Sequence, residues 1–410
     1  MKKVNSNSIK KILLASLVIV LSGCGKHTVQ SDEVQQGNNH SSTDLFEHKS
    51  KVLYAQNFSV SYHGYYKVVK ASATLGEWDT PGSETEDVTD VMVLVQQGYE
   101  PPPLTGELAN AQVIRIPANE RIATNASNLE IWLDMLGLTN RLVAIGGTKT
   151  YNDSLRQLIS RGTIGQVGYS WAAPPDMEVL LHQQPDIFLM VISRVGFNQS
   201  LSKIRALGIQ AIPVFDWAER DYMATAEWIK YCALFFNKEK EANQWFDKII
   251  VNVNALKGKV SGKERPTVLW AHYVDKGFWL AQTNNPEARL LKDAGVRNVT
   301  EDFSKPFSPI GEALTNEQLL VVGGQADHWI IGNGVRALLP DKNYLDGFKA
   351  WRNGNLYHHY KRSKPAFDAY DWFNLWPVRP DIALADLIRT FHPEVLPEHE
   401  RVFVGNLKKE

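Results

Sequence analysis

The chain has little of several things that mark common protein classes. Its two cysteines in 410 residues, Cys24 and Cys232, form no cluster for structural zinc, and no His-x-x-x-His pair falls on a predicted helix. Neither charge dominates, because 44 Lys and Arg face 45 Asp and Glu, and this removes the electrostatic case for nucleic acid. Past Leu21 no apolar run approaches the roughly 20 residues that cross a bilayer. A Gly-x-Ser-x-Gly elbow, a Walker loop and a Gly-x-Gly-x-x-Gly after a strand are all missing, so none of these catalytic or nucleotide-binding motifs is on offer.

What is present begins at the first residues. Lys2, Lys3, Lys10 and Lys11 precede an apolar run from Ile12 to Leu21 that closes on Leu21-Ser22-Gly23-Cys24. The run is too short to span a membrane and has the form of a signal peptide. With Cys directly after Leu-Ser-Gly it resembles a bacterial lipobox, which implies residues 1–23 as signal and Cys24 as the lipid anchor. An ordinary secretory signal with an unrelated cysteine is the alternative. Acylation of Cys24 would leave Cys232 without a disulfide partner. Residues 24–50 are polar and nearly free of apolar side chains, the composition of a flexible tether.

The remaining residues alternate between strand and helix patterns. Leu53 to Val60 and Val91 to Gln97 read as strands of a β-rich addition, parted by the acidic stretch Glu77 to Asp90. From Gln112 an α/β order follows: strand Val113 to Ile116, helix Leu129 to Leu136, strand Leu142 to Ile145, and a helix near Ser154 to Ser160. A helix opening at Glu178, strand Ile187 to Ile192, helix Leu201 to Leu207 and strand Ala211 to Phe215 complete it. Tyr222, Ala226, Ile229, Ala233 and Phe236 form an apolar stripe at helical spacing, with Asn237 as stop and fresh N-cap. Ala242, Trp245, Ile249 and Val253 continue as a second helix. About 15 helical residues cover roughly 22 Å, enough for a stiff strut between two lobes. Strand Thr267 to His272 then opens a second α/β lobe ending near Leu407, with a helix from Ile382 to Thr390. The domains expected are 51–216, 217–262 and 263–410, and the fold class is α/β with mostly parallel sheets.

One pattern occurs twice. Glu178-Val179-Leu180-Leu181 leads to Pro185-Asp186 and an apolar run, and Glu317-Gln318-Leu319-Leu320 leads to Ala326-Asp327 and another. Together with the lipobox, Leu136-Gly137-Leu138, Leu207-Gly208-Ile209, the bridging helix, Asp293-Ala294-Gly295 and Asn316-Glu317-Gln318-Leu319, this order resembles cluster-III substrate-binding proteins of bacterial ABC importers. The resemblance covers roughly 112–393. It implies two Rossmann-like lobes joined by a rigid bridging helix, small lobe movement on binding, a cleft ligand such as a ferric siderophore, haem or cobalamin, and one docking glutamate per lobe. Glu178 and Glu317 fall on those docking positions and would meet arginines of a permease driven by a separate ATPase. Each is also simply a favourable anion in the first turn of a helix.

Ligand groups are expected in loops after the carboxyl ends of strands. Those loops carry Asn119-Glu120-Arg121, Tyr151, Trp171, Arg194 and Trp217 on the first lobe, and His272-Tyr273, Trp279, Ile331-Gly332-Asn333 and Trp372 on the second. Tyr151, Trp171, Arg194, Trp217, Trp279 and Trp372 are the chosen ligand-binding residues, with core packing the competing role for each Trp. His358 and His359 are adjacent on a strand and should point to opposite faces, one of them solvated, so no residue is assigned to metal. Glu219 and Glu227 are not read as a catalytic pair, because Glu227 on the bridging helix suits solvent or an interlobe contact. The expected protein is a monomeric envelope lipoprotein, not an enzyme and without a cofactor. It would face the periplasm or the exterior, with a metal chelate as cargo, most readily a ferric siderophore. A lipid-anchored hydrolase or metal chaperone is the alternative, and Gly25 leaves inner and outer membrane both open.

Overall fold

The computed structural model describes residues 44–77, 84–118, 121–274, 278–303, 307–332 and 342–407. The signal segment, Cys24, the tether as far as residue 43, Asn119, Glu120 and Asn333 lie outside the described residues. Strand β1 (Phe58–His63) turns through Gly64, at φ 55°, into β2 (Tyr66–Leu75). With β3 (Glu86–Gln96) and β4 (Gln112–Ile116) they form a four-stranded sheet in chain order, antiparallel except for the parallel pair β3–β4.

Two expectations fail in this sheet. Val113 to Ile116 does not open the α/β lobe but forms the edge of the added sheet. Strand structure begins only at Phe58, because the preceding backbone bonds to buried carboxylates instead of to a neighbouring strand. Glu227 accepts N–H bonds from Leu53, Tyr54 and Ala55 at 2.6–3.0 Å. Glu219 accepts from Gln56 and Asn57 at 3.0–3.1 Å and from the Trp228 indole at 2.9 Å. Glu227 is fully buried, so neither solvent nor an interlobe contact explains it. Residues 44–50, assigned to the tether on composition, are also seated: Phe46 and Ser50 are buried, and the Ser50 amide donates to the Tyr62 hydroxyl at 2.9 Å.

The first lobe runs β5 (Ile122–Thr124), α1 (Ser127–Met135), β6 (Leu142–Ile145), α2 (Asp153–Ser160), β7 (Gly165–Gln166), α3 (Met177–Gln183), β8 (Ile187–Val191), α4 (Val195–Ala206) and β9 (Gln210–Val214). Its sheet has the order β7-β6-β5-β8-β9 and is parallel throughout. Interior strand β8 is buried at all five positions, as expected of a strand covered on both faces.

Two helices connect the lobes, α5 (Tyr222–Leu234) and α6 (Glu239–Val260), parted by Asn237 in the left-handed region at φ 52°. Asn237 supplies the stop, but Lys238 occupies the N-cap without a capping side-chain bond. Every residue of α5 is buried. Its first turn (Tyr222, Met223, Ala226) packs in the second lobe's core, and Trp228 to Phe236 pack in the first lobe's. At about 1.5 Å per residue α5 is about 20 Å long.

The second lobe comprises β10 (Thr267–Tyr273), β11 (Phe278–Ala281), α7 (Pro286–Asp293), β12 (Arg297–Asn298), β13 (Glu312–Thr315), α8 (Asn316–Gly323), β14 (His328–Ile330), α9 (Lys342–Leu345), α10 (Lys349–Asn353) and β15 (Leu356–His358). After these come β16 (Ser363–Lys364), β17 (Ala369–Tyr370), α11 (Asp371–Leu375), α12 (Pro380–Phe391) and β18 (Gly405–Asn406). The sheet order is β13-β11-β10-β14-β15-β18 with β12 beside β10. Pairs β10–β12, β10–β14 and β14–β15 are parallel, and the outer pairs are antiparallel.

Glu227 also pairs with buried Lys230 at 2.7 Å. Replacing it by glutamine strands that ammonium and weakens three amide bonds. E227Q should therefore lower the unfolding free energy by about 3–5 kcal/mol in urea denaturation. A loss below about 1 kcal/mol would show that the carboxylate does not hold the segment.

Candidate ligand-binding cleft

A cavity of about 750 Å³ lies between the lobes, lined from both. Its walls are the loops that leave the carboxyl ends of strands, where open α/β sheets gather their binding groups. On the first lobe these are the turns after β5, β6, β7 and β9. Gly146 at the end of β6 allows the close approach: a Cβ there would lie 2.9 Å from the Asn125 carbonyl and 3.4 Å from the Tyr169 ring. On the second lobe they follow β10 and β15.

Aromatic faces dominate both walls. Trp171 and Trp217 meet edge to face at 5.8 Å on one side, with the Trp217 indole donating to the Ile192 carbonyl at 3.1 Å. Opposite them, Trp372 lies 5.6 Å from both Trp270 and Trp376. Trp171, Trp217 and Trp372, chosen from sequence, line the cavity. The other three chosen residues do not. Trp279 is fully buried beside Trp329, its indole donating to Asn316 at 2.9 Å, and belongs to the second lobe's core. Arg194 is drawn away by Glu77 at 3.1 Å. Tyr151 sits at an interlobe contact, with Lys364 4.4 Å and Arg362 5.2 Å from its ring centre.

That contact is a clasp between the β16–β17 hairpin and the first lobe. Lys364 bonds Asp153 at 2.6 Å and the Tyr151 carbonyl at 3.0 Å, and Lys149 bonds Asp368 at 2.7 Å. The Arg156 guanidinium lies 4.5 Å from the Phe367 ring centre.

The ionisable lining is held close to neutral. Burial pushes Asp216 up to about 7, against the opposing Asn128 hydrogen bond of 2.7 Å, and pushes Glu287 up to about 7 as well. Burial lowers His272 to about 4 and His359 to about 3, the latter aided by the neighbouring His272 ring. Both His358 and His359 are buried, contrary to the expectation that one faces water, because the chain leaves β15 at His358 and no longer alternates. The sequence reading passed over Trp270 and Trp376 as binding groups. Trp270 lies inside a strand and carries no signal to separate it from core. Among the described residues no group of three or more His, Cys, Asp or Glu is placed to hold a metal ion.

Glu178 and Glu317 are both exposed, and each is the second residue of its helix. Asp176 caps α3, accepting from the Glu178 amide at 2.9 Å. Thr315 and Gln318 form a capping box on α8. The Glu317 carboxyl is held below the usual range by its own amide and then by Thr315.

The sequence pattern of the family described as Periplasmic binding protein matches residues 122–358, more than half of the chain. The chain belongs to that family. Two full-length relatives of this periplasmic binding protein are uncharacterized lipoproteins of Methanocaldococcus jannaschii. One is 22% identical over 402 residues, covering 93% of this chain and 92% of the relative; the other is 21% identical over 407 residues, covering 94% of each. Among solved structures, a periplasmic heme binding protein from Pseudomonas aeruginosa superposes with a TM-score of 0.51 at 18% identity, covering 70% of this chain and 97% of that one. An ABC transporter substrate-binding protein from Listeria monocytogenes EGD-e gives 0.50 at 18%, covering 67% and 99%. At these identities the likeness shows the two-lobed fold.

Because the folded carboxyl of Asp216 holds its proton more tightly than the unfolded one, its ionisation removes stability as pH rises from the ordinary carboxylate range towards 7. The amide of an Asp216→Asn variant has no such proton to lose. Relative to D216N, the wild type should lose about 2–4 kcal/mol between about pH 4 and pH 8 in urea unfolding. Parallel stability profiles for the two proteins would show that the group titrates as if solvated.

Proposed function

We propose that this periplasmic binding protein is the substrate-binding component of an ABC importer, carrying a metal chelate in its interlobe cavity to a membrane permease with its own ATPase. The observation that carries the reading is the cavity itself. Five of the chain's 12 tryptophans line it, from two lobes braced by a buried helix. Aromatic faces bury much area at little cost in rotamer entropy, which suits a bulky, flat guest. Lys149 is the sole Lys or Arg among the described lining residues and is already paired with Asp368. That lining favours a flat macrocyclic chelate over a strongly anionic ferric siderophore. The Pseudomonas relative of the same fold binds heme, which supports the same choice.

Delivery rests on Glu178 and Glu317, one exposed carboxylate at the matching position of a capped helix on each lobe. A fixed carboxylate offers a permease arginine a bidentate partner and sets register more than affinity. Cys24, as lipid anchor, keeps the carrier at the membrane, and the protein binds its cargo without turning it over.

Titrating the full-length chain in detergent with haemin, hydroxocobalamin and a ferric hydroxamate should give saturable tryptophan quenching by at least one of them, with no chemical change in it. The double reversal E178K/E317K should leave that titration curve unchanged and lower uptake in cells by at least about tenfold. Uptake at the wild-type rate would remove the docking role. Absence of quenching by all three would remove the chelate reading.

A further inference from the structure

The lining contains one feature that an aromatic box does not require. His359 is only 4% exposed, it lines the cavity, and neither ring nitrogen has a hydrogen-bond partner among the described residues. Leaving a buried polar atom unpaired costs about 1–3 kcal/mol, and proteins rarely keep two on one side chain without a use. Aromatic neighbours fix the ring in place, with Trp372 at 4.9 Å, Trp270 at 5.7 Å and Phe373 at 5.8 Å between ring centres. None of these three can accept or donate through its face in place of a full hydrogen bond. Aromatic packing therefore orients the imidazole and shields it from water.

Resting on the chelate-carrier reading above, we infer that His359 coordinates the metal of the bound cargo, so that the cargo is a metal held by a planar chelator with an exchangeable axial position. A bare ion needs about four protein ligands in a closed site, and the described residues assemble no group of even three. A metal whose equatorial positions are already filled needs only one. A chelator that encloses its metal completely leaves none for an imidazole. On binding, an imidazole nitrogen donates its lone pair to the metal and a weakly held axial water leaves; no proton or electron changes hands. Trp372 and Trp270, packed round His359, form the second-lobe wall of the box into which the macrocycle fits. His272 lines the same cavity.

The probes are iron(III) protoporphyrin IX and metal-free protoporphyrin IX, titrated into the full-length chain in detergent and followed by tryptophan quenching and by the Soret band. The two share one flat aromatic surface, and only the first can be ligated. The expected result is at least about tenfold tighter binding of the iron form, with a Soret shift of nitrogen ligation. In H359A the Soret shift and the preference for the iron form should disappear. Equal binding of both porphyrins to the wild type, without a Soret shift, overturns the coordination and leaves the aromatic carrier standing; this comparison needs no variant to fold. A shift that survives in H359A and vanishes in H272A overturns the assignment to His359. Binding of neither porphyrin overturns the inference, and if haemin, hydroxocobalamin and the ferric hydroxamate all fail to quench, the carrier reading falls with it.

Discussion

A helix buried on every side can carry a charged residue only if partners are brought to it, and α5 carries two. Glu227 and Lys230 sit one turn apart with no access to water, so the carboxylate recruits the amides of residues 53–55 and the ammonium takes the Lys51 carbonyl at 2.8 Å. Glu219, at the foot of the same helix, gathers the next two amides. A length of backbone that would otherwise be an open strand edge is spent on these bonds. The added sheet then starts where the carboxylates end, and Phe58 at its first position packs 5.0 Å from Trp228 and 5.4 Å from Tyr231. The sheet, the first lobe and the bridge thus share one core, while the first turn of α5 reaches into the other lobe's.

The cleft follows from the same rigidity. Burial drives the acids Asp216 and Glu287 up to about 7 and the imidazoles of His272 and His359 down, which lowers the charge facing the cavity. Such a surface offers a guest dispersion and contact area rather than ion pairing. The clasp at Tyr151 engages Lys149 and Lys364 in ion pairs with Asp368 and Asp153.

Much of this was legible in the sequence. Helices with capped starts, such as α2 and α3, fall where the sequence places them, and the doubled pattern at Glu178 and Glu317 lands on the same position of two capped helices. The failures have physical causes. Strand β2 hides because Lys67 stands on its buried side, neutralised by Glu239 and bonded to the Leu234 carbonyl at 2.8 Å, so the alternation reads as broken. β5 is three residues long and shows no period at all. For single side chains, a tryptophan in a strand and one in a loop look alike until the fold decides which faces a gap, and this separates Trp279 from Trp270. Arg194 was misplaced because its partner Glu77 is 117 residues away, a distance no local pattern can register.

The β16–β17 clasp brings a last consequence. Its ion pairs are partly open to solvent, so each adds little and each is screened once salt shortens the reach of charge to about 8 Å or less. The bridge helix α5 keeps its ion pair, Glu227 with Lys230, buried at 2.7 Å, where salt screens it much less. One seam of the molecule therefore stiffens in fresh water and slackens in brine while the other changes far less.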